Sequence, residues 1–208
     1  MKALIVATLM AGGALLTAQS DTHKSPLGYS YAVPTDWQVV DTSASLAGVK
    51  QQAQQNATED AEKRGAACVN LSLTARHGAP PSVMVVVELP FDCLGQTATE
   101  KDLPGFAIGA SEGLKQNFDL GDPVFGSYTL GKHAMWAERA QGSPKGHPEV
   151  SYTIEIACSL LKKAAVCWMA MVADPEALKV FESGPVTLED DPATALVPAN
   201  AFEKKPAQ

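Results

Sequence analysis

Apolar and polar residues alternate along most of this chain, and the places where the rhythm changes mark its elements. Gly28-Tyr29-Ser30-Tyr31-Ala32-Val33 alternates and stops at Pro34-Thr35-Asp36. That predicts a short strand ending in a turn, with Trp37-Gln38-Val39-Val40 resuming the extended course. Ala67, Val69, Leu71, Leu73 and Ala75 alternate with Asn70, Ser72, Thr74 and Arg76, the period of two of a half-buried strand. Beyond His77-Gly78-Ala79-Pro80-Pro81, the run from Val83 to Leu89 is apolar at nearly every position, as in a strand covered on both faces. Pro123 to Leu130 and His133 to Ala140 read as two strands around a Gly131-Lys132 turn. Tyr152 to Met171 reads as a hairpin centred on Lys162-Lys163.

The period lengthens in three places. Ser43 caps a predicted helix over 44–64, closed by Gly65, whose narrow stripe is Leu46, Val49, Ala53, Ala57 and Ala61. Glutamines flank that stripe, so the helix reads as a solvated cover, with docking of a partner as its functional alternative. Leu103, Phe106, Ala107, Ala110, Leu114 and Phe118 give an amphipathic helix with a core face. Gly105, Gly109 and Gly113 recur beside that face and suggest a close approach of helix to sheet. Asp174-Pro175-Glu176 opens a third, short helix with a cap, a proline and an acid at its positive end. Residues 184–208 carry four prolines and little periodicity, a mostly irregular tail docked at most over Val186 to Leu188.

The N-terminus carries a different signal. Lys2, the uncharged apolar run from Ala3 to Leu16, and Ala18-Gln19-Ser20 make residues 1–20 a secretory signal peptide cleaved before Asp21. A spanning helix needs about 20 apolar residues, more than this run supplies. No cysteine at the cleavage site offers a lipid attachment. The expectation is therefore a secreted or periplasmic protein, not a lipoprotein, with no stable membrane insertion after cleavage. Residues 21–183 form one domain on this reading. Loss of Lys2 with the leader makes the formal charge of −7 more negative still. An acidic chain without a basic cluster argues against nucleic acid and against anionic lipid as partners.

Cys68, Cys93, Cys158 and Cys167 allow three pairings, and an oxidising compartment favours two disulfides. A turn at Lys162-Lys163 puts Cys158 opposite Cys167, within reach of a bridge after modest adjustment. Cys68–Cys93 follows by elimination. Aligning the apolar faces of their strands nevertheless puts those two on opposite sides unless a bulge near Pro90 turns the chain. No C-x-x-C occurs, and His23, His77, His133 and His147 lack ligand spacing, so no metal is expected.

The order strand, helix, two strands, helix, four antiparallel strands, helix, together with Gly28-Tyr29-Ser30-Tyr31-Ala32-Val33-Pro34-Thr35-Asp36-Trp37, resembles the PsbP/Mog-type superfamily. Tyr128-Thr129-Leu130-Gly131-Lys132-His133-Ala134 resembles its mid-chain turn, and the closing strand into Asp174–Ser183 its end. The resemblance spans roughly residues 28–183. It implies an α+β fold, a three-layer α/β/α sandwich around a mainly antiparallel sheet of about six or seven strands. It also implies no shared active site, since relatives are mostly accessory, adaptor or binding proteins.

The residues agree on the last point. No G-x-S-x-G, H-E-x-x-H, P-loop or dinucleotide fingerprint occurs, so no catalytic residue and no cofactor are assigned. His133, Glu138 and Asp92 as acid/base partners amount to what any chain offers. Glu88 interrupts an apolar strand, either as a strand-end position facing water or as a carboxylate lining a pocket. Trp168 and Trp136 read first as core and otherwise as a recognition surface together with Phe106. The asparagines of Asn56-Ala57-Thr58 and Asn70-Leu71-Ser72 fall mid-helix and mid-strand, where a glycosylation match is chance. The expected function is an exported, non-enzymatic accessory or binding protein that engages a protein partner in the cell envelope. The alternatives are a small-ligand carrier with an apolar pocket between sheet and helix near Phe106, Phe118 and Trp168, and an unrecognised hydrolase.

Overall fold

The computed structural model describes residues 22–41, Leu46, Lys50 and 60–203. The expected leader and most of the helix expected over 44–64 lie outside these residues. The alternating segments form strands β1 (Thr22–Ser25), β2 (Tyr29–Ala32), β3 (Gln38–Val39), β4 (Asn70–His77), β5 (Ser82–Pro90) and β6 (Phe118–Leu120). They continue with β7 (Val124–Leu130), β8 (His133–Pro144), β9 (Tyr152–Leu160), β10 (Ala164–Val172), β11 (Pro185–Leu188) and β12 (Thr194–Ala195). The described helices are α1 (Asp60–Cys68), α2 (Phe91–Leu94), α3 (Leu103–Leu114) and α4 (Pro175–Ser183).

Eight strands make one antiparallel sheet in the order β3-β4-β5-β10-β9-β8, with β6 and β7 lying one after the other along the outer side of β8. The other four make a second sheet, β1-β2-β11-β12. The expected α/β/α sandwich therefore does not form. The second sheet covers a face of the first that was expected to carry helix, and only α4, nine residues long, joins it there. The reason lies in the tail. β11 returns to pair with β2, Val186 opposite Tyr31 and Leu188 opposite Tyr29, and so completes a sheet where sequence order suggested a loose end.

Between the two sheets, Tyr29, Tyr31, Val186 and Leu196 meet Met84, Val86, Val166 and Trp168 in the main core. Trp168 is 0% exposed and meets the Tyr29 ring edge-on at 5.3 Å. On the opposite face, α3 lays Leu103 and Ala107 over Ile156, Cys158 and Cys167. Leu103, Ala107 and Ser111 hold its buried side. The glycines follow two residues later, about 200° around the helix. Gly105, Gly109 and Gly113 are accordingly exposed, and a methyl added to any of them would meet nothing within 4 Å. The close approach expected of them is not there. The helix also ends at Leu114, so that Phe118 opens β6 and packs against Tyr152 instead.

Both disulfides form, Cys158–Cys167 across directly paired residues of β9 and β10, and Cys68–Cys93 between α1 and α2. The face conflict expected for the second pair disappears because neither cysteine lies on a strand. α1 runs past Gly65 to Cys68, and Phe91 turns the chain into α2 just after β5. Beyond β11, two acidic side chains brace the hairpin turns of the large sheet. Asp191 accepts from the Lys132 amide at 3.0 Å, and Glu189 accepts from the Lys162 amide at 2.9 Å. Gly131 adopts φ +56° in its turn, and a side chain there would collide with the Asp191 carboxylate.

Candidate functional site

The β2–β3 loop and the β4–β5 turn meet at one end of the large sheet. Pro34, Thr35 and Asp36 end one strand run, and His77 to Pro81 ends another. Their convergence leaves a cleft of about 380 Å³ lined by Asp36, Gln38, Arg76, His77, Gly78 and Pro81. Gln38 and Arg76 face one another across the β3–β4 pair. Trp37, buried, is the platform: its ring stacks on His77 with centroids 5.8 Å apart and planes 25° apart. The His77 Nδ1 lies 3.2 Å from the Asp36 carbonyl and 3.4 Å from its carboxylate. Both neighbours are acceptors, so Nδ1 is the nitrogen that donates to Asp36. The site thus offers a carboxylate, a guanidinium, an amide and an oriented imidazole around an open mouth. None of the six lining residues bears a hydroxyl or a thiol.

Sequence reasoning missed this site because its parts are turn and strand-end residues some forty positions apart, each ordinary alone. The available signal was that Pro-Thr-Asp-Trp and Arg-His-Gly both place charged groups beside chain reversals.

The residues singled out from sequence are not gathered at one place. Glu88 lies under the small sheet, 3% exposed, and its carboxylate accepts from Ser25 Oγ at 2.6 Å, Tyr29 Oη at 2.9 Å and Asn70 Nδ2 at 2.9 Å. It neither faces water nor lines an open pocket. His23 stands beside it, its ring 5.9 Å from that of Tyr29, and burial holds its pKa below the usual histidine range. Trp168 is core, as above. Trp136 and Phe106 are half-buried together between α3 and the large sheet, where Phe125 meets the Trp136 ring at 6.0 Å. His133 and Glu138 alternate to opposite faces of β8. His133 lies 3.6 Å from Asp191, whereas Glu138 is buried on the α3 side and Asp92 is exposed on α2. These three cannot act together. Burial pushes the Glu138 carboxyl up from its ordinary range, opposed by the Ser111 hydroxyl and Lys115.

One further cluster was invisible in the sequence. Arg139 of β8 donates from Nε to Glu155 of β9 at 2.5 Å and from Nη2 to Glu182 of α4, while the Phe202 ring covers its guanidinium at 4.2 Å. Glu155 is 0% exposed, and its Oε1 has no hydrogen-bond partner among the described residues. Burial pushes its carboxyl up to about 7 against the pull of Arg139.

No family model matches the chain, and no curated protein does. Among solved structures, that of cyanobacterial PsbP (CyanoP) from Synechocystis sp. PCC 6803 is similar, at 13% identity over 82% of this chain and 89% of that one, with a TM-score of 0.42. A likeness that loose defines no shared site.

Proposed function

We propose that this protein is an exported, non-enzymatic binding protein of the cell envelope, and that it engages a protein partner at the cleft between the β2–β3 loop and the β4–β5 turn. The supporting observation is the position of β3. It ends the large sheet among the described residues, with Gln38 and Val39 exposed directly beside the cleft. An extended segment of a partner adds to such an edge through its main chain, while side chains along it enter an adjoining pocket and set specificity. Charges of both signs in Asp36 and Arg76 suit the recognition of polar side chains. Two disulfides and the leader-like residues 1–20 support export.

The test is site-specific photocrosslinking in the host cell. A photoreactive side chain in place of Gln38 should capture a defined partner, and one in place of Lys179 on α4 should not. Adding His77→Ala to the Gln38 probe should reduce capture several-fold. Equal capture from both positions, or none from Gln38, would remove the cleft as the docking site.

A further inference from the structure

The chain beyond β12 closes over the Arg139 cluster. The Phe202 ring lies on the guanidinium, the Tyr128 hydroxyl donates to the Leu196 carbonyl at 2.9 Å, and Leu196, Val197 and Ala201 are buried. This strap passes so close to β7 that a methyl on Gly126 would collide with the Ala201 carbonyl. Beneath it, two carboxylates share one guanidinium in a site without water access to Glu155. With both acids ionised the cluster carries one uncompensated negative charge, which the burial of Glu155 disfavours. A proton on Glu155 removes it, and the protonated carboxyl can also donate to its neighbour.

We propose that Arg139, Glu155 and Glu182 form a proton-controlled latch, closed by the strap of residues 194–203 when Glu155 is protonated and loosened when Glu155 ionises.

The groups that face Glu155 fit this reading. β8 supplies Arg139, α4 supplies Glu182 and β7 supplies Tyr128 with its pKa raised by burial, while the strap's uncharged Phe202 lies on the far partner, the Arg139 guanidinium. Arg139 is the single cation of the set, so no second positive charge compensates an ionised Glu155 there. Opening the strap hydrates Glu155 and returns its pKa to the ordinary carboxylate range. Opening therefore becomes more favourable as pH rises from that range toward neutrality, and levels off above it.

Hydrogen exchange of the full mature chain reads this directly. After correction for intrinsic rates, amides of 194–203 should exchange about tenfold faster or more at pH 8 than at pH 5.5, one unit of pKa difference being tenfold in the opening equilibrium. Amides in the centre of β9 and β10, which open only with the whole fold, should stay far slower than the strap at both pH values. Glu155→Gln keeps the hydrogen bonds without the charge, so its strap should exchange slowly and equally at both pH values. Glu182→Gln removes the second carboxylate, and should also flatten the response while retaining the ion pair with Arg139. A wild-type strap indifferent to pH would overturn the proposal, as would an undiminished pH response in either variant.

Discussion

Glu88 stands in β5 between Val87 and Leu89, where the apolar run leads one to expect another aliphatic side chain. Its three hydrogen-bond donors tie β5 to β1, β2 and β4, so the carboxylate locks the small sheet to the large one. Glu88→Ala takes the acceptor from half-buried Ser25 and from the buried Tyr29 hydroxyl, which keeps only Ser72, and should lower stability by about 1–3 kcal/mol, read from urea denaturation. Glu88→Gln can still accept hydrogen bonds through its amide oxygen and should cost less than half as much. A loss from Glu88→Ala no greater than that of a solvent-exposed substitution such as Lys179→Ala would mean the lock is idle. None of this was legible in the sequence, because Ser25 and Tyr29 lie about sixty positions away and only tertiary pairing brings them together. At Trp168 the reverse holds. The alternation with Val166 and Val172 places it on the side away from Cys167, and there it lies in the main core.

Two elements lend themselves to direct measurement. In α3 the exposed glycines contribute no packing and lack the positive φ that would require glycine. Replacing all three by alanine should stabilise the helix by about 0.5–1 kcal/mol at each site, and a thermal melt should rise by several degrees. A fall would show that their backbone freedom is used. The disulfides set two effects against each other. Cys68–Cys93 closes a loop of 25 residues and Cys158–Cys167 one of nine, so chain entropy favours the first by about 1 kcal/mol. Cys158 and Cys167, however, are packed between the large sheet and α3, and deleting two buried sulfurs adds roughly 2 kcal/mol of lost packing. The double alanine variant of 158 and 167 should therefore be the less stable of the two, by chemical denaturation. Most strands of the large sheet were legible, β4 from its period of two and β5 from a continuous apolar run. The pairing of Cys68 with Cys93 looked awkward only because both residues were read as parts of strands.

At the scale of the whole molecule, two effects bear on stability. The first is pH. Burial raises the Glu155 carboxyl in the folded chain to about 7, above its unfolded value. The folded state then holds a proton that the unfolded state has already lost, so this contribution is full at acid pH and disappears as pH rises through about 7. Denaturation midpoints should fall between pH 5 and pH 8, and Glu155→Gln should flatten that slope. The second is the tail. Residues 185–203 supply half of the small sheet and two carboxylate braces, so ending the chain at Gly184 should abolish cooperative unfolding, as followed by near-ultraviolet circular dichroism. The layering was the illegible part of the fold. The alternation of β2 was plain, but its pairing with a four-residue strand some 155 positions away leaves no trace in the sequence. The same pairing carries a consequence for the newborn protein. β2 emerges from the ribosome some 155 residues before its neighbour β11, so the large sheet must wait with one greasy face uncovered until β11 has followed. A cell making this chain needs either to hold it unfolded until release or to shelter that face, and a stalled chain lacking its final strands should be the form that proteases and holding chaperones find.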